Sequence, residues 1–145
     1  MEIDCKSICV DELCSVLPND WAEELMEQWD EIKENTIVLG VFYNFNLIGG
    51  AIVTNSVTTD VKIYQDIAQT YLNSGFSYLA FLHLLPNYRK LGVMDIWWNK
   101  MLHLVPNKNL WLSTSEIKLV KYYQHKNMQI SYFDEPSNEW ILNTI

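Results

Sequence analysis

Leu84-Leu85-Pro86-Asn87-Tyr88-Arg89-Lys90-Leu91-Gly92-Val93-Met94 joins an almost wholly apolar run, Tyr78–Leu85, to a stretch with helical periodicity. An apolar run of that length predicts a strand buried on both faces, inside a sheet covered by helices. In the helix expected over Leu91–Val105, residues Met94, Trp97, Trp98, Met101, Leu102, Leu104 and Val105 share one broad arc at about 100° per residue. Asp95, Asn99, Lys100 and His103 face the other way. A strand that ends in a Pro-containing turn and feeds a helix offers free backbone N–H groups at the helix N-terminus. Those donors, the helix dipole and a nearby arginine together favour a phosphate or pyrophosphate. Gly92 lets the backbone approach a ligand closely. The same residues also fit an ordinary strand–helix turn carrying a solvated Arg-Lys pair.

Upstream of this stretch, Met1–Val10 supplies a short first strand. After Pro18, Asn19 or Asp20 is suited to cap a helix running to about Glu34, with an apolar stripe of Trp21, Leu25, Trp29 and Ile32. Thr36–Tyr43 and Leu47–Asn55 are β-rich runs separated by the turn Asn44-Phe45-Asn46. Gly49-Gly50 predicts a bulge or a close backbone approach. Asp60 to Leu72 has helical spacing, closed by Asn73-Ser74-Gly75. Downstream, a short strand at Leu110–Leu112 precedes a helix over Glu116–Lys126, and Gln129–Phe133 and Glu139–Thr144 form the final strands. The order predicts an α/β domain with a mixed, mostly antiparallel central sheet flanked by helices, one domain over residues 1–145.

Half the chain is apolar, with six Trp, eight Tyr and five Phe, a composition for a packed core rather than for disorder. The net charge of −8 is unevenly placed. Residues 1–34 carry eleven acids against Lys6 and Lys33, whereas the rest is close to neutral. That balance leaves no basic footprint for nucleic acid or an anionic membrane. No apolar run is long enough to cross a bilayer, and the acidic N-terminus is unlike a secretory signal, so a cytoplasmic location is expected. Cys5, Cys9 and Cys14 match no common zinc spacing and are expected as free thiols, with no metal.

Two motifs together carry a family resemblance. Leu84-Leu85-Pro86 followed by Tyr88-Arg89-Lys90-Leu91-Gly92-Val93-Met94 resembles the cofactor motif of the GNAT superfamily of acetyl-CoA-dependent N-acetyltransferases, Arg/Gln-x-x-Gly-x-Gly/Ala after a strand ending in Val-x-Pro. Tyr122-Tyr123-Gln124-His125-Lys126-Asn127-Met128 resembles that family's Phe/Leu-Tyr-Glu-Lys-x-Gly-Phe at the end of the next helix. The similarity extends over about residues 36–133. It implies acetyl-CoA as cosubstrate and transfer of its acetyl group to a primary amine by direct attack in a ternary complex. Backbone groups of Leu84 and Leu85 would pair with the pantetheine amides, and N–H groups from Arg89, Lys90, Leu91, Gly92, Val93 and Met94 would hold the pyrophosphate. Tyr123 would protonate the departing thiolate, and His83 is the candidate base offered by its strand. The acidic first segment would attract a cationic amine, and a homodimer is compatible with the resemblance. Met94 stands where the family prefers Gly or Ala, Asp95 adds negative charge to the first helical turn, and Glu116 replaces a common Asn. A catalytically weak or inactive acyl-CoA-binding or protein-interaction module of the same fold is the alternative those departures imply.

Overall fold

The computed structural model describes residues 1–145, the side chain of Asn107 excepted. Seven strands form one sheet: β1 (Ile3–Ser7), β2 (Thr36–Tyr43), β3 (Asn46–Thr54), β4 (Ser77–Leu84), β5 (Leu110–Thr114), β6 (Met128–Asp134) and β7 (Glu139–Thr144). Their spatial order is β1-β2-β3-β4-β5-β7-β6. Every neighbouring pair is antiparallel except β4 and β5. The helices are α1 (Val10–Cys14), α2 (Asn19–Ile32), α3 (Gln65–Asn73), α4 (Val93–Leu102) and α5 (Ile117–Gln124).

Alternation along the central strands divides the core into two layers. Leu39, Ala51, Leu79, Leu110, Leu112 and Leu142 face one side, where α4 and α5 contribute Trp97, Trp98, Met101 and Val120. Val38, Ile52, Tyr78, Ala80, Trp111 and Ile141 face the other, covered by Leu13, Leu25, Ile32 and Ala68 from α1, α2 and α3. Trp97 also donates its Nε1–H to the carbonyl of Gly40 at 3.1 Å, and Lys100 reaches the carbonyl of Ile3 at 2.8 Å. These two bonds tie α4 to β2 and β1, which fixes where its N-terminus points.

Several expected boundaries shift for local reasons. The β2–β3 turn is two residues, Asn44 and Phe45, both with positive φ, as a tight hairpin requires. Pro18, rather than Asn19 or Asp20, is the residue before α2, and no side chain caps it. The helix expected over Asp60–Leu72 is a 3-10 segment, Thr59–Tyr64, followed by α3. The side-chain oxygen of Gln28 on α2 accepts from the Thr59 N–H at 3.0 Å and sets that entry. The helix expected from Leu91 begins only at Val93, because Gly92 is left-handed (φ 73°). The short helix α1 is an additional element with no counterpart among the sequence expectations.

The glycine pair makes both a close approach and a register irregularity: β3 slips against β2 from Val41↔Gly49 to Phe42↔Leu47, and a second irregularity lies opposite, on β4. A Cβ on Gly49 would sit 2.3 Å from the carbonyl oxygen of His83, and one on Gly50 would sit 2.4 Å from that of Leu39. Register runs from Gly50↔His83 to Ile52↔Ala80, so Phe81 and Leu82 together face Ala51. Phe81 has φ 55°, a left-handed conformation that costs a bulky residue roughly 1–2 kcal/mol.

Candidate active site

β4 and β5 run parallel but pair only at Ser77↔Leu110 and Tyr78↔Trp111. From Leu79 onward, past the bulge, β4 has no strand partner on its β5-facing edge. A cleft opens there with two connected lobes. One, of about 580 Å³, extends towards the β4–α4 turn; the other, of about 370 Å³, lies over the β5 side. Trp21, Leu82, Glu116, Leu119 and Tyr123 line both.

The turn lobe is built mainly from backbone. Pro86–Tyr88 form one 3-10 turn; Lys90 (φ 68°) and Gly92 (φ 73°) are both left-handed. The N–H groups of Lys90, Leu91, Gly92, Val93 and Met94 make no hydrogen bond to a loop, cap or side chain among the described residues. A Cβ built on Gly92 meets nothing within 4 Å, so the space beside it is open. Five free donors at the start of a ten-residue helix, with Arg89 and Lys90 beside them, suit a pyrophosphate.

Arg89, the only arginine of the chain, donates its Nε–H to the carbonyl of Leu84 at 2.9 Å. That carbonyl, expected to face a ligand amide, is therefore taken. The N–H of Leu85 is likewise used, on the carbonyl of Ile48 at 2.8 Å. The strand edge left open lies earlier, at Leu79–His83. Val93 is buried, whereas Met94 is half-buried and packs against the core as well as lining the lobe. Leu91 is exposed.

Asp95 does not stand alone at the helix start. Lys126 meets its Oδ1 at 2.6 Å, and the Tyr122 hydroxyl donates to the same oxygen at 3.3 Å. The Lys126 hydrogen bond holds the Asp95 carboxyl below its ordinary range. The ion pair offsets the negative charge that the sequence places beside the five donors.

Tyr123 lies at the junction of the lobes. Its ring is buried, 5.8 Å from that of Trp98, and burial with the charge of Glu116 raises its phenol well above the usual value. It is a core aromatic and a cleft residue at once. His83 lines the turn lobe, edge-on to Trp21 at 5.6 Å. Burial, then Arg89, pushes its imidazole down, so it is neutral at neutral pH. His103 and His125 are exposed.

The second lobe contains residues that sequence reasoning left out. Glu24, Asp60, Ser113 and Glu139 line it, together with Tyr78. They come from α2, the 3-10 segment, β5, β7 and β4, and no local pattern links them. Trp21, expected within a core-facing stripe, is over a third exposed and stands at the cleft. The acidic first segment contributes only Glu24 to the lining near Glu116; Glu23, Glu27, Asp30, Glu31 and Glu34 are exposed. Cys5, Cys9 and Cys14 are free thiols; burial pushes Cys5 up to about 12. No helix is long and apolar enough to cross a membrane.

No protein-family model and no curated protein sequence matches the chain. Solved structures do. The PaiA N-acetyltransferase of Thermoplasma acidophilum in complex with coenzyme A aligns with a TM-score of 0.64 and 11% identity over 99% of both chains. A GNAT family acetyltransferase from Elizabethkingia anophelis with acetyl-CoA bound gives 0.65 and 14%, over 98% of this chain and 97% of that one. FeeM, an N-acyl amino acid synthase from uncultured soil microbes, gives 0.68 and 8%, over 99% and 90%. The chain has the GNAT fold, and at these identities the likeness speaks for the fold alone.

Proposed function

We propose that the protein is an N-acetyltransferase that uses acetyl-CoA to acetylate a primary amine by direct attack in a ternary complex. The observation that carries this reading is the junction. A lobe walled by five free backbone donors meets a second, acid-lined lobe at the hydroxyl-bearing Tyr123. The neighbours with coenzyme A or acetyl-CoA bound share the fold that produces this cleft.

When bound, the cosubstrate supplies an acyl thioester whose carbonyl carbon accepts the amine nitrogen. The residues of the chain do the rest. N–H groups from Lys90 to Met94 hold the pyrophosphate, with Arg89 and Lys90 adding positive charge. The free edge of β4 between Leu79 and His83 receives the pantetheine amides. Tyr123 keeps its proton at neutral pH, since its phenol is shifted upward. It is therefore suited to deliver that proton to the sulfur as the C–S bond breaks. The proton released by the attacking amine goes to the neutral His83 imidazole or directly to water.

Titration calorimetry with acetyl-CoA and desulfo-CoA, followed by an assay of thiol release across an amine panel, tests the proposal. Micromolar binding with amine-dependent thiol release is expected. Binding with no release on any amine would replace it with a non-catalytic acyl-CoA-binding module.

A further inference from the structure

The residues that line both lobes, Trp21, Leu82, Glu116, Leu119 and Tyr123, stand at the neck where the lobes join. Glu116 is charged and exposed, and the other four make a largely apolar ring. Three observations single out Trp21 within it.

First, Trp21 is not a core residue. It lies on α2 one turn before Leu25, and the buried stripe runs on from there through Gln28 and Ile32. At Trp21 the same stripe has passed beyond the packed layer. Its indole belongs to neither core layer and is 36% exposed.

Second, the indole is held. It stands edge-on to Phe81, with centroids 6.3 Å apart at 75°, and to His83, at 5.6 Å and 69°. Those two residues flank Leu82 in the irregular stretch of β4, where Phe81 is left-handed. Edge-to-face contact with two rings sets the plane of the indole, which makes it a wall of defined position.

Third, the neck is where an acyl group has to lie. A pantetheine arm from the turn lobe and an amine from the β5 lobe meet at one carbonyl carbon, and the sulfur lies towards the Tyr123 hydroxyl. Trp21, Leu82 and Leu119 are then the neighbours left for the carbon substituent of that carbonyl. The indole is the bulkiest of the three.

We propose that Trp21 limits acyl-chain length, its indole closing the neck to all but a two-carbon group so that the β5 lobe stays free for the acceptor. This rests on the acetyl-transfer reading. A longer chain has to pass the indole edge, push it off Phe81 and His83, and occupy the acceptor's space. Packed side chains give way to such an insertion only with a loss of affinity.

The test is calorimetric titration of desulfo-CoA, acetyl-CoA and butyryl-CoA into the parent protein, Trp21→Ala and Trp21→Phe. The parent is expected to bind butyryl-CoA at least tenfold more weakly than acetyl-CoA. That ratio should fall to twofold or less in Trp21→Ala and lie between the two in Trp21→Phe. Desulfo-CoA carries no acyl group and should bind all three proteins alike, which separates loss of the wall from damage to the fold. Trp21→Phe keeps a ring at the position and decides the matter if the alanine variant does not fold. Equal or tighter binding of butyryl-CoA by the parent, or a ratio unchanged in the folded variants, would overturn the proposal and leave the acetyl-transfer reading standing. No binding of desulfo-CoA or acetyl-CoA by the parent removes that reading and the role of the wall with it.

Discussion

The two lobes of the cleft are made from different materials. The turn lobe presents backbone N–H groups of consecutive residues, fixed by two left-handed positions and a helix start. The β5 lobe presents side chains from six separated elements, with a hydrogen-bond network through Tyr78, Asp60 and Thr58 in its wall. Backbone donors recognise a shape and charge common to one ligand class and tolerate side-chain change. A side-chain lining is specific, and one substitution rewrites it. Fixed backbone geometry on one side and adjustable side-chain chemistry on the other would suit the proposed transfer from one cosubstrate to one particular acceptor.

Four substitutions or conditions press on that contrast, the largest effect first. Gly92→Glu puts a carboxylate into open space beside the five donors and forces a left-handed glutamate; acetyl-CoA affinity should fall about a hundredfold by calorimetry. Retained affinity would remove the turn from the binding site. Tyr123→Phe keeps the ring against Trp98 and removes only the hydroxyl, so kcat should drop about a hundredfold with acetyl-CoA affinity nearly unchanged. An unaffected rate would return Tyr123 to the core alone. Lys126→Met exposes the charge of Asp95 at the helix start and should weaken acetyl-CoA about fivefold. Adding Asp95→Asn should restore most of that loss; additive losses in the double variant would show that the pair acts only on packing.

The smallest effect concerns His83. Its pKa is depressed in the folded chain, so the unfolded chain binds the proton more readily as pH falls below the ordinary histidine value of about 6.5. Its contribution to stability is complete above that value and declines as pH falls through the folded pKa. Melting temperature followed downward from pH 7 should therefore fall less steeply in His83→Gln than in the parent. If the imidazole also accepts the amine proton, the acid limb of kcat/KM lies below pH 6.5 and disappears in the same variant. Superimposable rate profiles would assign the deprotonation to water.

What the sequence made legible follows the same division. The strand, turn and helix around Arg89 and Gly92 are contiguous, so periodicity, proline and glycine mark them directly. Gly49 and Gly50 signalled a bulge and a close approach, and β3 shows both beside them; the second irregularity, on the partner strand at Phe81, falls on a residue type that gives no hint of positive φ. Asp60 looked like a helix start, and a tertiary bond from Gln28 set the 3-10 entry instead. Trp21 fits a core stripe by spacing, yet it stands at the cleft, edge-on to Phe81 and His83 and over a third exposed. Glu24, Asp60 and Glu139 were scattered acids until the sheet order brought β7 beside β5. Pairing across distant strands is a long-range property, and local pattern carries no record of it.

The open edge of β4 has a practical corollary. Pairing between β4 and β5 stops after Tyr78↔Trp111, while the cleft that follows is lined by side chains from other elements as well. Opening and lining are therefore independent variables in this molecule. If the proposed function holds, an engineer can exchange Glu24, Glu139 or Leu119 to change which acceptor enters without having to rebuild the doorway.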